Sequence, residues 1–215
     1  ILELSKKYNI KKILFASSSS VYGSIKNKKF SENLKVDSQI SLYAATKKSN
    51  ETIANYYANN FGITILGMRF FTVYGPLGRP DMSYFKFSVL KKKKKKIALY
   101  NYGNHSRDFT YITDSVDIIE KLIKIVKKKK KLLSGNFFDV VNVACGKKIH
   151  INHLVKLLEK NFNSKIRVKY LKLQKGDVKN TFSDTKKLKK YLGKINHTKF
   201  SDGIKNFCDW YKDYY

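Results

Sequence analysis

The chain has 215 residues, 42% of them apolar, which is enough for one sizeable domain with a small appendage and sets intrinsic disorder aside. No apolar run approaches the roughly 18 residues of a membrane span, no signal-peptide pattern opens the chain, and the distant pair Cys145 and Cys208 makes no disulfide framework, so a reducing, cytoplasmic setting is expected. The net charge of +29 invites a nucleic-acid reading, yet all but four of the 45 basic residues are lysine, not the forked arginine that reads bases. Lys91–Lys96 and Lys127–Lys131 stand among abundant Asn, Ile, Tyr and Phe, residues that share AT-rich codons. Neither specific nucleic-acid binding nor membrane association is expected.

In chain order, Lys12 to Ser17, "KILFAS", reads as a short buried strand of a parallel sheet, and it runs into the hydroxyl cluster Ser17–Ser20. After a polar loop, Ser41 to Gly62 has helix formers, no proline, and a glycine just past its last apolar residue. "ITILGMRFF", Ile63 to Phe71, is a second buried strand, followed by the loop "TVYGPLGRPD", which holds both prolines of the chain. Strand, loop, helix, strand, loop is α/β alternation. Further on, "FKFSVLKKKKKK" predicts a helix with an exposed lysine end and "IALYNYG" a strand. Asp114 is placed as the cap of a helix from Ser115 to Lys130, with Val116, Ile119, Leu122, Ile123 and Val126 at helical spacing. "FFDVVNVACG" reads as another strand, and Asn152 as the cap of a helix through Phe162. Two C-terminal helical patterns each open with Ser-Asp.

The residue pair with chemical meaning is Tyr43 and Lys47. Four residues apart on a helix, they project from one face about one turn apart. A tyrosine, with a pKa near 10, is a poor base at neutral pH, but a neighbouring ammonium favours the phenolate. A phenolate can take a proton from an alcohol and return it. The strand before this helix ends in serines, at the carboxyl edge where α/β sheets bind ligands. Cys145, His150 and His153 have no fourth ligand, so no metal is expected.

Hydroxyls at a strand end, followed by Tyr-x-x-x-Lys on a helix, resemble the short-chain dehydrogenase/reductase superfamily and its extended branch of sugar-nucleotide epimerases and dehydratases. The blocks "SSSSVYG", "SLYAATKKSNE", "MRFFTVYGPLGRPDMSYFKF", "RDFTYITDSV" and "QKGDVKNTFSD" are similar, in order and spacing, to UDP-glucuronate 4-epimerases. The resemblance implies an α/β fold, the C-terminal part of a Rossmann-like doubly wound parallel sheet with a small α/β substrate-binding subdomain. Residues 1–75 would be the remainder of the NAD-binding domain with the Ser-Tyr-Lys set. Residues 76–215 would be mainly the UDP-sugar subdomain, with 97–150 partly returning to the first domain.

By the same resemblance, Tyr43 is the acid/base at the sugar C4 hydroxyl, Lys47 holds the nicotinamide ribose, and Ser18 hydrogen-bonds the same sugar oxygen. Ser17 and Phe70 join Tyr43 and Lys47 on the NAD side, Ser19 and Ser20 line the sugar pocket, and Thr72 stands where the family contacts sugar or pyrophosphate. Arg107 would clamp the diphosphate and Asp177 the uridine ribose, while Arg79, from its charge and position, is the candidate partner of the C6 carboxylate. The implied reaction is transient oxidation at C4 and return of the hydrogen to the other face, interconverting UDP-glucuronate and UDP-galacturonate. Dehydratases of the branch carry an Asp-Glu pair where Ser19 and Ser20 stand, which favours epimerisation.

The chain also departs from the pattern. No G-x-x-G-x-x-G phosphate loop precedes Ser17, and the chain opens at Ile1, so it is read as an N-terminally truncated piece, inactive with NAD by itself. The full-length enzyme is expected to be a homodimer. Two other readings stay open: a related UDP-sugar decarboxylase, dehydratase or UDP-glucose 4-epimerase, and a non-catalytic polycationic remnant that binds anionic partners.

Overall fold

The computed structural model describes residues 1–23, 25, 29–173 and 180–215. A short helix α1 (Leu2–Lys7) precedes strand β1 (Lys12–Ser18), which passes directly into a 3-10 turn over Ser19–Tyr22. Helix α2 (Leu42–Phe61) follows, bounded as its sequence requires. The Ser41 hydroxyl accepts from Ala44 N at 3.2 Å, and Gly62 takes the left-handed conformation at φ +61 that ends a helix without steric cost.

Strand β2 (Thr64–Phe70) lies parallel to β1, with Lys12 opposite Thr64 and Ser18 opposite Phe70. A three-residue strand β3 (Thr72–Tyr74), helix α3 (Ser83–Lys92) and strands β4 (Ile97–Leu99) and β5 (Ser106–Tyr111) come next, then helix α4 (Ile112–Lys128) and strand β6 (Phe138–Val143). Strand β6 returns to pair in parallel with β2, giving the order β1-β2-β6. Strand β7 (Lys148–His150), helix α5 (Ile151–Asn161), strand β8 (Val168–Tyr170) and helices α6 (Lys186–Leu192) and α7 (Phe200–Tyr214) complete the chain. Two smaller sheets, β3-β5-β7 and β4-β8, flank the main one.

The main sheet is covered on both faces, which is why its strands are apolar without alternation. Ile63 and Ile65 pack with Ala54 and Ala58 of α2, whereas Leu66 and Met68 pack with Ile118, Leu122 and Val126 of α4 and with Leu188 of α6. Because successive strand residues point to opposite faces, one strand serves two cores. The aromatic residues gather elsewhere: Tyr74, Tyr84, Phe85, Phe109, Phe207 and Tyr211 form a separate core between α3, α5, α7 and the β3-β5 pair.

Several expected boundaries are corrected. Helix α4 begins at Ile112, three residues before the expected start, and Asp114 lies inside its first turn. Its carboxylate instead accepts from Thr198 N at 2.9 Å and Thr198 Oγ1 at 2.8 Å, tethering the segment that leads to α7. The buried stripe of α4 is Ile118, Leu122 and Val126; Val116 and Ile123 face solvent, one step around the helix from the expected face. Asn152 is not a cap, since α5 starts at Ile151 with no side-chain cap. Of the two Ser-Asp pairs, the first lies just before α6, Asp184 Oδ1 accepting from Lys186 N at 2.9 Å, while Ser201 and Asp202 lie inside the first turn of α7. "IALYNYG" is a strand only over Ile97–Leu99, and Tyr100–Gly103 forms a 3-10 turn. Among the described residues no helix is long and apolar enough to cross a membrane.

Candidate active site

The parallel register brings the carboxyl ends of β1, β2 and β6 level at Ser18, Phe70 and Val143. Above the first two lies a cleft of about 460 Å³ lined by Ser17–Ser20, Tyr43, Phe70–Gly78, Arg79, Met82, Tyr84 and Ile112. It is the concave end of an open α/β sheet, the place where such folds bind ligands. Among the described residues, no acidic side chain lines it and Arg79 is its one charged lining residue.

The serine edge is ordered by its own hydrogen bonds. Ser18 Oγ accepts from Ser20 N at 3.1 Å and so caps the 3-10 turn, which leaves the Ser18 hydroxyl proton to be donated elsewhere. Tyr43, in the first turn of α2, is 51% exposed with its ring on the cleft. One turn on, the Lys47 ammonium donates to the Ala16 carbonyl at 2.9 Å and stands 5.9 Å from the Tyr43 ring centroid. Gly75, at φ +149, lies on the cleft wall where a Cβ would meet Ile112 at 2.4 Å, so only glycine lets the chain pass.

Beneath the cleft runs a buried polar layer. Glu51 of α2 accepts from Ser17 Oγ at 2.6 Å and from Arg69 Nε and Nη2, each at 2.8 Å. Arg69 lies over the Tyr22 ring at 4.9 Å, and Tyr22 donates to Asn142 Oδ1 at 2.7 Å. Burial opposes the charge on Arg69, yet the Glu51 carboxylate holds its pKa above the ordinary value. Burial pushes the Tyr22 phenol up to about 12, so it stays a hydrogen-bond donor.

The family model for the NAD dependent epimerase/dehydratase family matches residues 1–144. The chain belongs to that family. Protein CapI of Staphylococcus aureus is 40% identical over 224 residues, a match covering all of this chain and 67% of that protein. UDP-glucuronate 4-epimerase of Thermodesulfobacterium geofontis is 37% identical over 214 residues, covering 99% of this chain and 63% of that one. Among solved structures, UDP-glucuronic acid 4-epimerase from Bacillus cereus in complex with UDP-glucuronic acid and NAD superposes with a TM-score of 0.89 at 31% identity, over all of this chain and 65% of its own. The chain thus spans about two thirds of the length of the relatives it matches.

As a family member, the chain has the Rossmann-like α/β fold that its residues predicted, and its expected site residues divide into three groups. Ser18, Ser19, Ser20, Tyr43, Phe70, Thr72 and Arg79 come together in the cleft, with Lys47 one helical turn from Tyr43. Ser17 also lines the cleft, and its hydroxyl donates to Glu51 at 2.6 Å. Arg107, on β5 opposite Ile149, is not among the cleft's lining residues, and its Nη1 donates to Ser106 O at 3.0 Å. Asp177 lies outside the described residues. Asn180 lies beside Ser106, whose hydroxyl donates to Asn180 Oδ1 at 2.6 Å.

Sequence reasoning missed Glu51, Arg69, Asn142 and Asp108. Arg69 was legible as the single charge in an otherwise apolar strand, and Glu51 as a carboxylate one turn beyond Lys47 on its face. Taken alone, Arg107-Asp108 reads as a surface pair. Asp108 is instead fully buried, its carboxylate accepting from Gly146 N at 3.1 Å and from Ser183 N at 3.1 Å. Burial pushes its pKa up to about 7 against the backbone N–H groups that favour the charge.

Proposed function

We propose that the protein supplies the substrate half and the acid/base residues of an NAD-dependent UDP-sugar 4-epimerase, with UDP-glucuronate and UDP-galacturonate as its pair. The observation that carries this reading is the convergence of Ser18, Tyr43, Thr72 and Arg79 on one cleft at the strand ends, with Lys47 behind Tyr43. The names of the relatives at 37% and 31% identity support the choice of uronate.

The donor set suits the ribose of a nicotinamide. An ammonium has three N–H groups, and Lys47 gives one to Ala16 O, leaving two for vicinal hydroxyls. Tyr43, Lys47, Phe70 and the backbone at Ser17 would hold NAD on this side. When bound, NAD supplies the reversible oxidation at the sugar C4. This chain's residues do the rest. Tyr43 removes the proton from the C4 hydroxyl and returns it, while Ser18, its lone pair already engaged by Ser20 N, donates to the same oxygen. Ser19 and Ser20 stand where elimination would need a carboxylic acid, and among the described residues no lining side chain is acidic, which favours retention of water and a change of configuration alone.

Arg79 is held by Asp81 through Nε–Oδ1 at 3.1 Å and Nη2–Oδ2 at 2.6 Å, in a pair 72% and 63% exposed. An exposed pair of this kind is worth about 1 kcal/mol or less, so a uronate carboxylate can displace Asp81. We also read the natural assembly as a homodimer, supported by the exposed Leu42, Ile53 and Tyr56 of α2.

The test uses the full reading frame that encodes this chain, incubated with UDP-glucuronate and analysed for UDP-galacturonate, UDP-xylose and a 4-keto sugar. Galacturonate as the sole product, lost by at least about 100-fold in Tyr43→Phe, is expected; xylose or the keto sugar would assign a decarboxylase or dehydratase instead, and unaltered turnover in Tyr43→Phe would remove the acid/base role. Light scattering on the same preparation is expected to give twice the chain mass.

A further inference from the structure

The buried residues of α2 are Ala44, Glu51, Ala54 and Ala58. Three of the four are alanines, and Ala54 and Ala58 are one turn apart, so a slip of the helix by a turn, about 5.4 Å, would replace alanine by alanine against the sheet. Tyr57 and Phe61, half-buried against the same core, likewise repeat one turn apart, so apolar packing specifies the register of this helix weakly. Glu51 specifies it strongly. The Glu51 and Arg69 side chains are each 4% exposed, and the carboxylate is filled by Arg69 Nε and Nη2 and by Ser17 Oγ. Ser17 and Arg69 are partners in the β1-β2 register, each one residue before a cleft-lining residue, Ser18 and Phe70. Any slip or rotation of α2 strands a buried charge, which is far costlier than a lost methyl contact.

Lys47 and Tyr43 lie one and two turns before Glu51 on the same helix face. We infer that Glu51 and Arg69 are positioning residues: their ion pair fixes the height of α2 over the strand ends, and so holds Lys47 on Ala16 O and Tyr43 beside Ser18. The effect on turnover rests on the acid/base reading of Tyr43; the effect on geometry does not. A pair of apolar residues could hold the helix to the sheet as firmly, but it would not select one register.

Glu51→Gln and the double variant Glu51→Leu/Arg69→Met separate the two roles. In the full-length protein, Glu51→Gln is expected to lower kcat by at least about tenfold with KM for the UDP-sugar within about twofold, because misplacement penalises the reacting geometry more than binding. The double variant, with no buried charge left, should regain most of the Tm while kcat stays low. Site-resolved reductive methylation of Lys47, read by mass spectrometry and independent of turnover, should be about threefold faster or more in both variants as the bond to Ala16 O weakens. Recovery of kcat together with Tm in the double variant, or unchanged Lys47 labelling in folded Glu51→Gln, would overturn the inference. Absence of wild-type turnover with UDP-uronates would instead sink the functional reading, and the Lys47 labelling would still decide the clamp.

Discussion

Individual residues in this chain are placed by where their hydrogen bonds can go. Asp108 shows this most clearly. Its carboxylate is buried and collects backbone N–H groups from the turn after β6 and from Ser183, so it ties three distant segments under the second sheet. Its folded pKa of about 7 lies above the ordinary 3.8, so the aspartate takes up a proton on folding. Its contribution to stability is then largest below pH 4 and declines as pH rises to about 7. Asp108→Asn removes this titration and opposes N–H groups to a half-donor amide. The expected cost is about 1–3 kcal/mol at pH 5 and less at pH 8, by urea denaturation; a cost that grows from pH 5 to pH 8 would contradict this assignment.

Among the elements, the two lysine runs follow a common rule. Both fall on helix C-termini, at the ends of α3 and α4, where unpaired carbonyls favour cations. The expected exposed lysine end is therefore part of the helix's electrostatics. One residue in it is strained: Lys94 sits at φ +54, a conformation that costs a side-chain-bearing residue roughly 1–2 kcal/mol. Glycine would remove that cost and lose about 0.5–1 kcal/mol to chain entropy. Lys94→Gly should thus raise stability by about 0.5–1 kcal/mol, seen as a small increase in Tm; a lower Tm would show that Lys94 makes a contact worth more than its strain. Asp114 and Asn152 teach the complementary lesson, since each has a cap's sequence signature and each sits inside its helix. A capping side chain is a local signal, and Thr198, 84 residues away, made a better partner for Asp114.

For the molecule as a whole, charge and site are separate. The chain carries +29, yet among the described residues the cleft holds Arg79 as its one charged lining residue. Weak binding to duplex DNA is therefore expected and should fall by about 10³-fold or more between 50 and 200 mM salt. Excess UDP should leave it unchanged, because the two ligands use different surfaces. Competition by UDP, in a gel-shift or anisotropy assay, would place polyanion binding in the cleft and favour the reading of the chain as a polycationic binder.

The sequence by itself determined the α/β alternation, the helix bearing Tyr43 and Lys47, and the hydroxyl strand end, because these depend on spacing within a few residues. It also carried the motifs by which the family resemblance stands. Only the tertiary structure decided that β6 closes the sheet beside β2, that Arg69 and Glu51 meet, that the Ser17 hydroxyl is given to Glu51, and that Asp108 is buried. Each of these joins residues from 18 to more than 70 positions apart, and the choice among possible partners is made by burial: a charge or hydroxyl removed from water must be satisfied, and the packed fold offers one place to do it.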